Sequence, residues 1–311
     1  MKKLAAMLLA GCMLFCTGCN SAVVQVRDRT YIQGALFSIG EQTELTLYPF
    51  EETEPPLSGS GATVAAAVEE TTVQSGRSVF LGHLELLCFD NPFFTGSLRD
   101  CMEQYRLSPA CKLLYLHETA LPENCDTLLL TDQLRQEEEN GRIPMTDLFH
   151  ILSEREGGDG AALIPAWSEN GFTMCIIHGE TVLGTLSDRA VQGLCWLRGE
   201  NFPKRITITG NDGAQDFEVD SARTELSAEI RSGIPHITVT IHLRGEGNTE
   251  AAKRIITAVC QAAELETLKQ MKADVMGLDA CLAQDCPDYY AQQDFETAKW
   301  AAVFEHVIIV K

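Results

Sequence analysis

Two runs of strict alternation constrain this fold more than any other feature. Thr224, Leu226, Ala228 and Ile230 alternate with polar residues, and after Gly233 the residues Ile237, Val239, Ile241 and Leu243 do the same. Successive side chains on a strand point to opposite faces, so each run carries one apolar and one polar face. Two such runs joined by a turn make long antiparallel strands with one wet face. Before them, Arg205 to Thr209 and Phe217 to Val219 flank Gly210-Asn211-Asp212-Gly213, a hairpin turn signal. After them, Thr249 opens a helical pattern that extends to about Leu282. Its broken apolar stripe is Ile255, Ile256, Val259, Leu268, Met271, Val275, Leu278 and Leu282. One helix of that length spans about 50 Å at ~1.5 Å per residue. Cys286-Pro287 ends it, and a shorter helix through Phe295 and Trp300 leads to a closing strand, Val307 to Val310.

The first half mixes short strands and helices. Tyr31 to Ile39 and Thr43 to Tyr48 form a hairpin around Gly40-Glu41-Gln42. Glu51 to Gly61 reads as a loop rich in Glu, Pro, Ser and Gly. A helix is expected over Ala62 to Val73, a strand over Ser78 to Phe89, a helix over Thr95 to Tyr105 and a strand over Lys112 to His117. Leu128 to Glu139 continues as a helix, and Thr146 caps another through Leu148, Phe149, Ile151 and Leu152. Gly157-Gly158-Asp159-Gly160 reads as a flexible joint. Three strands follow, Ala162 to Ala166, Phe172 to His178 and Thr181 to Leu186. Ser187 then caps a helix over Asp188 to Leu197, which Gly199 closes. The pattern is α+β, with mixed sheets, packed helices and a long C-terminal helix before a closing strand.

The chain opens with MKKLAAMLLAGCMLFCTGC. Two lysines precede an apolar run of about a dozen residues, short of the roughly 20 that cross a bilayer. Small residues end the run, as in an export signal. A cysteine at the cleavage point suggests a bacterial lipoprotein, its thiol carrying diacylglycerol. Cys19 is the favoured acceptor. Cys12 follows the better local lipobox, Leu9-Ala10-Gly11, but on too short an apolar run, and is the runner-up. An ordinary cleaved signal is the plain alternative. Two acyl chains on one cysteine anchor stably where one is marginal.

The formal charge is -20. Removal of Lys2 and Lys3 with the signal leaves the 44 acidic residues intact and takes it to -22. Such a body repels nucleic acid and anionic headgroups, so its membrane contact is expected to be the lipid. Three of the 12 cysteines lie in the first 19 residues. The other nine are Cys88, Cys101, Cys111, Cys125, Cys175, Cys195, Cys260, Cys281 and Cys286. Most sit in apolar runs and are expected to pack as small hydrophobes in a reducing setting. Cys281 and Cys286 are close enough in sequence to pair, though nothing else favours it. No CxxC occurs among the nine, so neither a zinc ribbon nor a redox site is expected.

Polar motifs give no chemistry. His83 near Glu85 could be a buried switch, but a structural histidine is the favoured reading. His150, His236, His242 and His306 have no metal-ligand spacing. Asn211-Asp212-Gly213 with Asp216 lacks the remaining acids of a calcium loop. Gly59-Ser60-Gly61 before a helix lacks a phosphate-loop lysine. No GxSxG elbow occurs. Tyr289-Tyr290 suits a partner surface or a packed helix end equally. No catalytic residue, metal or cofactor is assigned.

Four stretches carry a resemblance. They are Arg29 to Phe50 (RTYIQGALFSIGEQTELTLYPF), Gly61 to Phe89 with Leu81-Gly82-His83-Leu84-Glu85-Leu86-Leu87, Ala162 to Gly199 with VLGTLS and GLCWLRG, and the C-terminal pieces ADVMGL, PDYY and Trp300 to Val310. In this order the chain resembles the Ger(x)C family of spore germination lipoproteins over nearly all of its mature length. It departs from the family in being short, in the Cys before Thr17-Gly18, and in ending soon after Val310. The resemblance implies an α+β fold in three domains. It also implies a non-enzymatic subunit of a nutrient germinant receptor, lipid-anchored on the outer face of the inner spore membrane beside two integral-membrane partners, the A and B subunits. One of these resembles an amino-acid transporter. Only Cys19 transfers as a functional position. The expected division is a signal at 1–19, an N-terminal germination-protein region at 20–200 with a sub-border near 140–160, and a C-terminal α+β domain at 204–311. A generic extracytoplasmic solute-binding lipoprotein is the alternative. The chain lacks the two-lobed repeat expected of a solute trap.

Overall fold

A computed structural model describes residues 29–51, 54–117, 126–157, 159–168, 171–210, 213–291 and 299–311. Residues 1–19, read from the sequence as an export signal, with Cys12, Cys16 and Cys19, together with Cys125, the turn residues Asn211 and Asp212, and Phe295, lie outside the described residues.

The hairpin forms as its alternation requires. Strands β1 (Arg29–Ile39) and β2 (Thr43–Pro49) pair antiparallel. The polar stretch read as a loop holds a further strand, β3 (Leu57–Gly61), on the outer side of β2. Its glycines disguised it. A Cβ on Gly59 would lie 2.5 Å from the Ala67 carbonyl, so the strand can pass under helix α1 (Val64–Ser75) only without one. Thr63 caps α1 by accepting from the Ala66 N–H.

The single strand expected over Ser78 to Phe89 is two, β4 (Ser78–Phe80) and β5 (Leu86–Phe89), both parallel to β1. The Leu84 N–H bonds to the Leu81 carbonyl and turns the chain between them. A 3-10 turn (Pro92–Ser97) precedes α2 (Leu98–Tyr105). Then come β6 (Lys112–Leu116), α3 (Thr127–Glu139), α4 (Leu148–Gly157), β7 (Ala161–Ser168), β8 (Gly171–His178), β9 (Thr181–Thr185) and α5 (Asp188–Arg198). Ser187 and Gly199 cap α5 as expected. Asp147, not Thr146, caps α4, because its carboxylate takes the His150 N–H at 3.1 Å. These strands make one mixed sheet in the order β3-β2-β1-β5-β6-β7-β8-β9, with β4 beside β1.

The second sheet has the order β10-β11-β12-β13. Strand β10 (Arg205–Gly210) turns into β11 (Gly213–Arg231), which merges the two strands expected over 217–230 across a bulge near Asp220. Strand β12 (Ile234–Glu246) buries Ile237, Val239, Ile241 and Leu243, the predicted apolar face. The single helix expected from Thr249 to about Leu282 is broken. Helix α6 (Thr249–Glu264) widens into a π-helical stretch (Leu265–Met271) and stops at Lys272, which has a left-handed backbone with φ of 55°. Helix α7 (Leu278–Asp285) starts afresh after Gly277, and α8 (Pro287–Tyr290) follows. The stripe at 275–282 therefore belongs to a second helix. The closing strand β13 (Val303–Val310) is longer than expected and runs parallel to β12.

One core fills the side of the first sheet facing α1, α2 and α4, with Phe37, Leu47, Phe89, Phe94 and Ile151. The other runs from Leu114, Leu163 and Ile176 of the first sheet, through Trp196 of α5, to Val239 and Ile241 of the second. Each such buried side chain contributes about 1.5–3 kcal/mol. Gly193 lets α5 and α6 meet, since a Cβ there would lie 2.0 Å from the Val259 carbonyl oxygen.

Candidate functional site

Buried charge gathers where the segment after α4 meets the segment before α7. Lys299 is fully buried, and its Nζ lies 3.1 Å from Asp279 Oδ2 and 3.8 Å from Asp159 Oδ2. The same ammonium stands 4.5 Å from the centroid of the Trp300 ring. Asp159, read from sequence as part of a flexible joint, is a structural anchor. It accepts from the Ala161 N–H at 3.0 Å and from the Asp274 N–H at 3.1 Å. Asp274 in turn accepts from the backbone of Met276, Leu278 and Asp279 at 3.2, 2.9 and 2.7 Å, and so starts α7.

Beside this group Arg198 lies between Glu154 of α4 and Glu200. Glu154 also takes the Leu163 N–H at 2.9 Å, fixing α4 to β7. A cleft of about 300 Å³ opens over these groups, lined by Glu154, Arg198, Glu200, Asp274 and Asp279 with His150 at one side. Burial pushes the Asp274 carboxyl up, and the three N–H donors pull against it. Asp279 is raised by burial and by its neighbour Asp274, with Lys299 opposing. Burial raises Glu154, with Arg198 opposing. Burial alone would lower Arg198, but Glu154 and Glu200 hold its guanidinium above its ordinary value. Two cations sit among five carboxylates here, and backbone N–H donors hold Asp159 and Asp274, so the arrangement works as a latch between distant segments.

Two smaller ionic knots repeat the pattern. Lys112 reaches both oxygens of Glu138 at 2.8 and 2.7 Å, and Glu138 accepts from the Thr146 N–H and hydroxyl at 2.9 and 2.6 Å. This is the role Thr146 takes in place of a helix cap. His306 of β13 meets Glu264 of α6 at 2.7 Å.

A second cavity, of about 390 Å³, lies at the start of β1 among Arg29, Tyr31, Phe50, Arg77 and His83. His83 packs its ring against Phe80 and Tyr31, with centroids 5.4 and 5.8 Å away. Glu85, its suggested switch partner, pairs with Arg135 at 3.2 Å instead, so the structural reading of His83 fits. His150 bonds to Asp147 at 2.6 Å. Among the described residues no group of three or more metal-ligating side chains assembles.

Cys101, Cys111, Cys175, Cys195, Cys260, Cys281 and Cys286 are free thiols. Burial pushes the thiols of Cys101, Cys175, Cys195 and Cys281 up to about 12, and those of Cys111 and Cys260 higher. Such thiols are poor nucleophiles. Gly59-Ser60-Gly61 is strand β3, with the Ser60 N–H donated to Glu70. Tyr289 donates its hydroxyl to the Gly233 carbonyl at 3.1 Å, so it packs a helix end against the β11–β12 turn. Cys19 lies outside the described residues. Sequence reasoning passed over Asp159, Asp274, Asp279, Lys299, Arg198 and Glu154. Asp274 had a local signal, an Asp four residues before the first residue of an apolar helix. Lys299 and Arg198 showed only as cations beside tryptophans.

The fold and the latch define a class, α+β proteins built from two mixed sheets and tied by buried ion pairs. Within it, residues 173–310 match the family described as spore germination B3/GerAC like, C-terminal, a range that begins inside β8. The crystal structure of the GerBC protein superposes with a TM-score of 0.59 at 14% identity, covering 89% of this chain and 96% of that one. No curated protein matches the chain. Residues 173–310 thus carry a C-terminal domain of the spore germination B3/GerAC-like family, and the chain shares the fold of the GerBC protein. Among the described residues no helix is long and apolar enough to cross a membrane.

Proposed function

We propose that this chain is a lipid-anchored, non-enzymatic subunit of a nutrient germinant receptor, needed for nutrient-triggered germination of spores. The observation that carries the reading is the family match over residues 173–310. Cys19 is the proposed lipid attachment point, on the extracytoplasmic face of the inner spore membrane. The signal-like residues 1–19 and the lack of a described crossing helix support it. Its partners in this reading are the integral-membrane A and B subunits, and it binds no nucleic acid, which its charge of -20 would repel. Residues 20–200 form the N-terminal germination-protein region and 204–311 the C-terminal domain. The buried latch ties Asp159, Asp279 and Lys299 together across the chain, and the raised thiols fit a non-catalytic role.

Dormant spores lacking the chain, given a panel of nutrients while dipicolinate release is followed, test the receptor role. Blindness to one nutrient with intact nonnutrient germination supports it. Intact responses to every nutrient, in a strain with no second receptor, count against it. Cys19→Ala, with Cys12 also blocked, is expected to leave a folded body that no longer sediments with membranes. Retention on membranes would remove the anchor from the proposal.

A second reading, a solute-binding lipoprotein, draws on the 390 Å³ cavity beside Arg29 and Tyr31. A ligand screen by thermal shift on the purified chain, with Tyr31→Ala as control, separates it from the first.

A further inference from the structure

Strand β13 is an edge of the second sheet that carries almost none of the usual protection. Edge strands in soluble proteins are commonly short, bulged, glycine-rich or studded with lysine and proline, because a free edge pairs with other chains. The two end strands of the first sheet follow that practice. Strand β3 is five residues of Leu, Ser and Gly, and β9 is five residues long. Strand β13 has eight residues, and its ladder with β12 runs unbroken from Val303 to Val310. Among the described residues no strand pairs with its far side. Its exposed face carries Val303, Val307 and Ile309, at 48%, 36% and 37% exposure.

The ladder shows which groups the edge offers. The Lys311 N–H donates to the Leu243 carbonyl at 2.9 Å. Odd-numbered residues of β13 therefore bond to β12, and Phe304, His306, Ile308 and Val310 direct their N–H and C=O groups outward. An antiparallel partner must match those even positions.

We propose that β13 pairs with β13 of a second copy, antiparallel about a two-fold axis at Ile308. This register sets Ile308 against itself and His306 against Val310, all even positions, and makes about six backbone hydrogen bonds. It also sets the exposed row in order. Val307 faces Ile309, and Glu305 faces Lys311, twice each by symmetry. Isologous pairing needs such self-complementarity, and an acid opposite a base at each end of an apolar pair supplies it. The two four-stranded sheets join into one of eight strands.

The full chain, purified in non-ionic detergent, is followed by sedimentation equilibrium from about 2 to 100 μM at matched detergent density. The wild type is expected to pass from monomer to dimer. Glu305→Lys places Lys opposite Lys at both ends, and Lys311→Glu places Glu opposite Glu. Each weakens association about tenfold, the effect of two lost ion pairs and two like-charge pairs. The double variant, Glu305→Lys with Lys311→Glu, restores the pairs and returns the dimer. All three changes lie on an exposed face, so melting temperatures should stay close to wild type. A monomeric wild type at 100 μM overturns the proposal. So do single variants that dimerise as wild type does, as association through detergent or an anchor would, and so does a double variant no better than the singles.

Discussion

Replacing Lys299 by Met removes one cation and leaves its acids in place. The side chains of Asp159 and Asp279 are 9% and 7% exposed, and Lys299 lies within 4 Å of both. Met keeps the length of the stem, so the cavity term is small and the loss is electrostatic. Stripping one partner from a buried pair costs about 3–5 kcal/mol, a fifth or more of the ~5–15 kcal/mol that holds a typical domain. Acid should relieve the loss. Burial raises the folded-state pKa of Asp274 and Asp279 above the ordinary 3.8, so the folded chain takes up their protons before the unfolded chain does. A raised acid costs stability at neutral pH, and that cost fades as the pH falls through the folded value toward 3.8. Lys299 opposes the rise of Asp279, so without it that folded value rises further and the effect grows. In urea melts at pH 7.5 the variant should therefore lose about 3–5 kcal/mol with an unchanged slope, and the gap should narrow toward pH 5. Adding Asp279→Asn should recover part of the loss at neutral pH. A loss below about 1 kcal/mol, the scale of an exposed pair, or a gap that widens in acid, would refute the latch.

Two further outcomes follow from packing and burial. Gly193→Ala pushes a methyl to 2.0 Å from the Val259 carbonyl, which should cost about 3 kcal/mol by overpacking in the same melts, whereas Gln192→Gly at an exposed position of that helix should cost about 0.5–1 kcal/mol. In native protein at pH 7.5, iodoacetamide should label Cys286 first and leave Cys175, Cys195 and Cys260 unmodified until denaturant is added, as peptide mass mapping can show. Their thiols are buried, and those of Cys175, Cys195 and Cys260 are strongly raised.

Local rules carried far where the chain obeys them. The alternation at 237–243 put those residues on the buried face of β12, and the Ser187 and Gly199 caps bounded α5 to the residue. The same rules failed where a backbone detail broke a continuous pattern. Apolar spacing runs on from Thr249 to Leu282, yet the chain turns at Lys272 because the Asp274 carboxylate gathers the N–H groups of a new helix. The strand over Ser78 to Phe89 broke at a turn that apolar residues conceal. Strand β3 was hidden by glycines, whose small size serves α1 rather than a loop.

By itself the sequence determined the α+β composition, the two long strands with one wet face, the caps, the acidic surface and the family resemblance. Each is written in residues a few positions apart, where periodicity and hydrogen-bonding reach suffice. Tertiary structure alone decided that Asp159 would meet Asp274, 115 residues away, and that Lys299 would be buried between acids. It also decided that β13 would close the second sheet parallel to β12 and leave a self-complementary edge. A charge far along the chain has no local signature. Whether it is solvated or locked in a dry seam depends on which surfaces close over it.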